Sequence, residues 1–350
     1  MADDTHHTHE NRPGLQRGER APDMVLPTPQ GTPTHYYAHA GGRPALLVHT
    51  RDDGLAAVRD LTAALSTDHE RLTVHVIGPQ TVADALDGPE DPAVLVDRNG
   101  RAAAAYRTDG RTVAFLLDPS LRVLEGWEVP DGGAVATDVA SAVRQRLDAI
   151  DATTPAPRVV GMQAPVLIVP DVLSPAECDD LIALWHTDHT ETGVETNEGS
   201  TRGERLEAKL KRRADHVVRD PDRMQALATA IGRRLFVEVA RCFNYRPKRF
   251  EGFKIGRYTA EDRGFFSLHR DNLSPTTAHR RFALTLNLSE DYEGGELRFP
   301  EYGPNLYRPP RGAALVFSGS LLHEVADVTA GERFVLLSFL FADETVRQPG

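Results

Sequence analysis

The 350-residue chain is poor in cysteine, with only Cys178 and Cys242. Two thiols cannot make a disulfide framework, and both read as buried or inert. No apolar run approaches the ~18 residues of a membrane span. The opening MADDTHHTHENRPG is polar and acidic with no apolar core, so a secretory signal is not expected and a cytoplasmic location is. Positive charge is also short. Forty Lys and Arg against 51 Asp and Glu give a formal net charge of −11, which argues against a general nucleic-acid binder. His6, His7 and His9 fall in a tail, residues 1–16, that reads as disordered and at most an adventitious metal site.

What is present reads as two domains. Residues 17–150 alternate strand and helix patterns. PALLVHT (44–50), LTVHVIG (72–78) and AVLVD (93–97) are short apolar strands, and LAAVRDLTAAL (55–65) has helical periodicity. TVAFLLDPSLRVLEGWEV (112–129) predicts a hairpin turning at Asp118-Pro119-Ser120, and residues 134–150 close the unit as an amphipathic helix. Such alternation suggests a layered α/β sheet.

With the entry GERAPDMVLPTPQG, this stretch resembles the peroxiredoxin branch of the thioredoxin-like fold. The likeness departs where those enzymes carry their cysteine, since TRDDGLAAV (50–58) follows the first long strand and no cysteine precedes Cys178. Thiolate chemistry is therefore excluded. The role left to this domain is docking, dimerisation or substrate recruitment.

Residues 151–164 read as a linker. Beyond it, SPAECDDLIALWH predicts a helix with Ser174 as N-cap, Pro175 at its first position and Glu177 completing a capping box. A second helix is expected over 222–243. Between them, residues 187–205 lack periodicity and predict a long loop, a candidate lid. The basic run RGERLEAKLKRR (202–213) reads as a solvated face, with a substrate-facing rim as the alternative. From 249 onward six or more short strands follow, the last two being LLHEVADV (321–328) and RFVLLSFLF (333–341), separated by Gly and Pro, which suggests a sandwich or barrel.

His-x-Asp occurs twice. His186-Thr187-Asp188 sits at the end of the first helix, where residues two apart diverge and cannot face one metal. His269-Arg270-Asp271 lies on or at the end of a strand, where they share a face. His323, on a later strand, supplies a third donor. Two imidazoles and a carboxylate suit a non-haem Fe(II) site with open positions, and a zinc hydrolase could use the same donors.

Arg333 lies ten residues past His323 and could grip a carboxylate. At this spacing the region resembles the Fe(II)/2-oxoglutarate-dependent dioxygenases, and within them the prolyl-4-hydroxylase-like branch. YTAEDRGFFSLHRDN, LNLSEDYEGGELRFPEYG and YRPPRGAALVFSGSLLHEVADVTAGERFVLLSF carry the likeness in the expected order.

The resemblance implies a double-stranded β-helix, or jelly roll, with flanking helices over residues 165–345. It implies iron held by His269, Asp271 and His323, 2-oxoglutarate and O2 as cosubstrates, and Arg333 on the distal carboxylate. Tyr258 would offer its hydroxyl to the cosubstrate, and Thr285 and Asn287 would line the pocket. Arg270 would point away from the metal, and Glu296 reads as structural. Asp271 occupies the position that related halogenases leave small, so halogenation is not expected. The activity implied is hydroxylation of a small-molecule or peptidyl substrate, such as a prolyl side chain. The alternative is a binding protein that keeps the barrel without turnover.

Overall fold

The computed structural model describes residues 14–342 except 90, 132, 199–200, 206 and 208. His6, His7 and His9 lie outside these. The chain divides into two compact units, Met1–Pro157 and Arg158–Gly350.

The first unit is built on a five-stranded sheet. Its order is Ala93–Val96, Thr73–Gly78, Ala45–His49, Val113–Leu117, Val123–Glu128. The first three strands are parallel and the last two form an antiparallel hairpin. Side chains alternate between faces. Leu46, Val48, Val76 and Leu116 join Leu61 of the helix Leu55–Ala64 and Val143 of the helix Gly133–Thr153 in one core. Leu47, Ile77 and Phe115 enter a second core with Tyr36 and Tyr106.

The hairpin turns where expected, because the Asp118 carboxylate accepts from the backbone N–H groups of Ser120 (2.8 Å) and Arg122 (2.9 Å). This is a thioredoxin-like α/β domain. Two boundaries move. Leu15 is buried in the second core, so the tail expected over 1–16 ends before it. The last helix continues to Thr153, into the expected linker.

The second unit is a jelly roll. Its larger sheet orders Leu167–Val169, Ala314–Ser318, Phe282–Asn287, Val328–Phe341, Lys254–Thr259, Ala214–Val217 and Thr190–Glu191. The smaller sheet orders Lys211–Arg212, Phe265–His269, His323–Val325, Leu297–Arg298 and Leu306–Tyr307. Helices Pro175–Thr187 and Pro221–Phe243 cover one face of the larger sheet, burying Trp185, Leu235 and Val239 against Ile255 and Leu336. The opposite face carries Tyr258, Ala283, Leu315 and Val335 into a second core.

The capping box is formed: Glu177 N–H donates to Ser174 Oγ (3.2 Å) and Ser174 N–H to Glu177 Oε2 (2.7 Å). Two expectations are corrected. Part of the loop expected over 187–205 is a hairpin of Val194–Glu198 with Thr201–Arg205, paired by backbone hydrogen bonds, while residues 199–200 and the side chains of 194–205 lie outside the described set. The last strand begins at Val328, not 333, because Val328 to Gly331 pair with Tyr292–Gly294 and Gly331 (φ 67°) carries the strand through the stretch that looked like a turn. No described helix is long and apolar enough to cross a membrane.

Candidate metal centre

The smaller sheet makes His269 and His323 direct neighbours in register. Asp271 follows two residues beyond the strand end, where its N–H donates to Gly319 O (2.9 Å) and turns its carboxylate toward both rings. His269 Nε2 lies 3.5 Å from one carboxylate oxygen and His323 Nε2 lies 3.5 Å from the other. One donor atom from each of the three falls within 4.8 Å of the rest, the spacing a single metal ion needs. The decoy pair His186 and Asp188 belongs to no such cluster among the described residues.

Each imidazole is fixed from behind. His269 Nδ1–H donates to Ser267 O (2.7 Å) and His323 Nδ1–H to Leu321 O (2.9 Å), which leaves both Nε2 atoms facing Asp271. Phe266 stacks on His269 with ring centroids 3.6 Å apart, and Phe317 meets His323 edge-on at 4.6 Å. Burial raises the Asp271 carboxyl, but the His269 hydrogen bond, the His323 imidazole and Arg280 outweigh it and hold the group below the usual carboxylate range. Burial lowers His323, with Asp271 opposing. One carboxylate and two imidazole nitrogens converge here, a donor set that suits a divalent transition metal.

A cavity of about 710 Å³ opens beside these donors and runs to Arg333. Arg333 is 1% exposed, and its Nε has no hydrogen-bond partner. It donates from Nη2 to Asn287 Oδ1 (3.3 Å) and lies over the Tyr258 ring at 5.5 Å. No carboxylate pairs with it among the described residues. Tyr258 is its register partner on the neighbouring strand, and the Tyr258 hydroxyl accepts from Arg213 Nη1 (3.2 Å). Thr285 lines the cavity.

Asn287 does not line it. Both its amide hydrogens are used, on the Tyr292 hydroxyl (2.8 Å) and Pro309 O (2.6 Å), and its oxygen takes Arg333. It orients Arg333 and has no group left for a cosubstrate. Arg270 pairs with Glu301 (2.7 Å) at the rim, and Glu296 pairs with Arg308.

The sequence reading missed the floor under Tyr258. Arg213 donates to both oxygens of buried Asp215 (Nη2–Oδ2 2.7 Å), and Lys211 Nζ lies 3.9 Å from the same carboxylate. Lys211 and Arg213 line the cavity, so the end of the basic run is a cavity wall and not a solvated face. The signal was legible as Lys-x-Arg-x-Asp, charges at period two on one face of a strand.

Residues 253–341, which hold His269, Asp271, His323 and Arg333, match the family described as the 2OG-Fe(II) oxygenase superfamily. The chain carries a 2OG-Fe(II) oxygenase domain. A PKHD-type hydroxylase of Synechococcus is 26% identical over 205 residues, covering 53% of this chain and 80% of that protein. A PKHD-type hydroxylase of a Caulobacter species is 37% identical over 84 residues, 23% of this chain and 36% of that protein.

Among solved structures, a Pseudomonas putida prolyl-4-hydroxylase covers 52% of this chain and 95% of its own at 19% identity and a TM-score of 0.36. A Xanthomonas campestris peroxiredoxin Q covers 35% of this chain and 91% of its own at 18% identity and a TM-score of 0.30. The oxygenase domain classes the chain as an enzyme; the family implies Fe(II), 2-oxoglutarate and O2, and His269, Asp271 and His323 could hold a metal ion.

Proposed function

We propose that the oxygenase domain hydroxylates an unactivated C–H bond of an amino-acid side chain, free or within a peptide, or of a small metabolite, with release of succinate and CO2. One observation carries this reading. A buried guanidinium with a vacant Nε and no carboxylate partner among the described residues shares a cavity with a His-Asp-His cluster. An arginine buried without an anion is costly, and a dicarboxylate gripped at its far end would meet that demand.

In this reading His269 and His323 would give their Nε2 atoms and Asp271 its carboxylate to Fe(II). Arg333, steadied by Asn287, takes the distal carboxylate of 2-oxoglutarate. Tyr258, held by Arg213, offers its hydroxyl to the same cosubstrate. The bound iron, 2-oxoglutarate and O2 supply the oxidising power. The protein orients the reactants and limits water through Leu297, Phe317 and Val325 on the wall.

The first domain, which has no cysteine, serves in docking, dimerisation or substrate recruitment and not in thiol chemistry.

Anaerobic addition of Fe(II) and 2-oxoglutarate should give a weak visible charge-transfer band that His269→Ala abolishes, and O2 should then release succinate. An unchanged band in that variant would overturn the assignment.

A further inference from the structure

The cavity wall carries more positive charge than the cosubstrate accounts for. Arg213 is spent on Asp215, Arg280 on both oxygens of Glu251 (2.7 Å each) and Arg270 on Glu301. Asp271 faces the imidazoles. Lys211 sits between Asp215 and Gly193 O (2.8 Å). Two lining cations then have no carboxylate among the described residues: Arg333 and Lys254.

Lys254 opens the strand whose Tyr258 pairs with Arg333. Residues 254 and 258 share a face, and four residues put them roughly 13 Å apart. Lys254 is therefore half-buried on the cavity side, at the end away from Arg333. That end is also the metal end. Arg280, on the same cavity wall, donates from Nη1 to the main-chain oxygen of Asp271 (3.4 Å).

We propose that Lys254 anchors a carboxylate of the primary substrate, so that the enzyme selects an acidic substrate and holds it between Lys254 and the metal donors. The inference rests on the oxygenase reading above. Charge balance supports it. The two negative charges of 2-oxoglutarate offset Arg333 and the one positive charge left on Fe(II) by Asp271. Lys211 and Arg213 share Asp215 and carry one surplus charge between them, but both already contact it. The Lys254 ammonium has no carboxylate among the described residues and awaits an anion. A half-buried ammonium is a compact point charge with three donors, and a carboxylate brought against it forms a charge-assisted hydrogen bond away from full solvent screening. The carboxylate could be the α-carboxylate of a free amino acid or an acidic side chain within a peptide.

The test uses the full chain loaded with Zn(II), so that nothing turns over, and saturated with 2-oxoglutarate, so that the Arg333 end is filled. Two probe sets are compared by ligand-observed NMR. One is N-acetyl amino acids against their carboxamides. The other is fully capped pentapeptides bearing Asp or Glu against the same peptides bearing Asn or Gln.

Acids of one set should bind about tenfold more tightly than their amides, and the set that does so identifies the source of the carboxylate. Lys254→Gln should erase the preference and Lys254→Arg should keep it. Equal binding of acids and amides, no binding by either set, or a preference that survives Lys254→Gln would overturn the proposal. The Fe(II)–2-oxoglutarate band should be unchanged in Lys254→Gln. Its absence from the unaltered protein would count against the oxygenase reading instead.

Discussion

Both units hold buried or half-buried histidines, and they use them oppositely. In the first unit His49 and His75 sit in the sheet with Nε2 atoms that meet no hydrogen-bond partner. Burial pushes His49 down to about 3, and burial with a contribution from His39 pushes His75 down to about 4. In the second unit His269 and His323 each give one nitrogen to a backbone carbonyl and turn the other toward Asp271. Burial alone thus makes a neutral imidazole but not a ligand. The difference lies in a fixed tautomer and a convergent carboxylate.

The contrast can be broken by substitution. Replacing His269, Asp271 or His323 by Ala should cut succinate formation by about a thousandfold or more, because the metal's charge stabilisation is worth several kcal/mol. His49→Leu should leave the rate unaltered. Equal losses in both units would erase the distinction, and steady-state assays at saturating iron decide it.

Acid should separate the units next. The folded-state values of His49 and His75 lie below the unfolded value, so below about pH 6.5 the unfolded chain binds more protons. Stability from these two groups is complete above that pH and is lost as pH falls toward 4 and then 3. His49 alone accounts for on the order of 5 kcal/mol across the window. An acid titration followed by far-ultraviolet circular dichroism should show His49→Leu flattening the loss, and an unchanged profile would refute it.

Smaller effects sharpen the picture within the oxygenase domain. Arg333→Gln should raise the KM for 2-oxoglutarate by about ten- to a hundredfold with a lesser change in kcat, the loss of a charged hydrogen-bond pair. Ser174→Ala should cost about 1 kcal/mol by removing the helix cap, read as a lowered Tm with cosubstrate affinity unchanged.

Much of this was legible along the chain, and the reasons are local. The Asp118 turn and the Ser174 cap are decided by neighbours within four residues. The β-helix was legible from ordered blocks, and the period of two explained how His269 and Asp271 could share a side. What stayed hidden depends on partners far away in sequence. Asn287 read as a pocket residue until Tyr292, Pro309 and Arg333 took all its capacity. Lys211 and Arg213 look like any solvated basic run until the strand places Asp215 beneath Tyr258. Val328–Phe341 looked broken at Ala330-Gly331-Glu332 because a turn-like triplet and a bulged strand have the same composition.

The Arg213–Asp215 pair carries a consequence for how this wall can change over time. Removing Asp215 alone would strand two cations inside, and removing Arg213 alone would leave Asp215 with only Thr192 and the more distant Lys211 and release the Tyr258 hydroxyl. Even Gly256 is bound to the arrangement, since a Cβ there would come within 2.9 Å of Arg213 and 3.0 Å of Asp215. These positions form an inherited block that tolerates joint replacement far better than single steps, and drift in substrate preference would be channelled to the opposite end of the chamber.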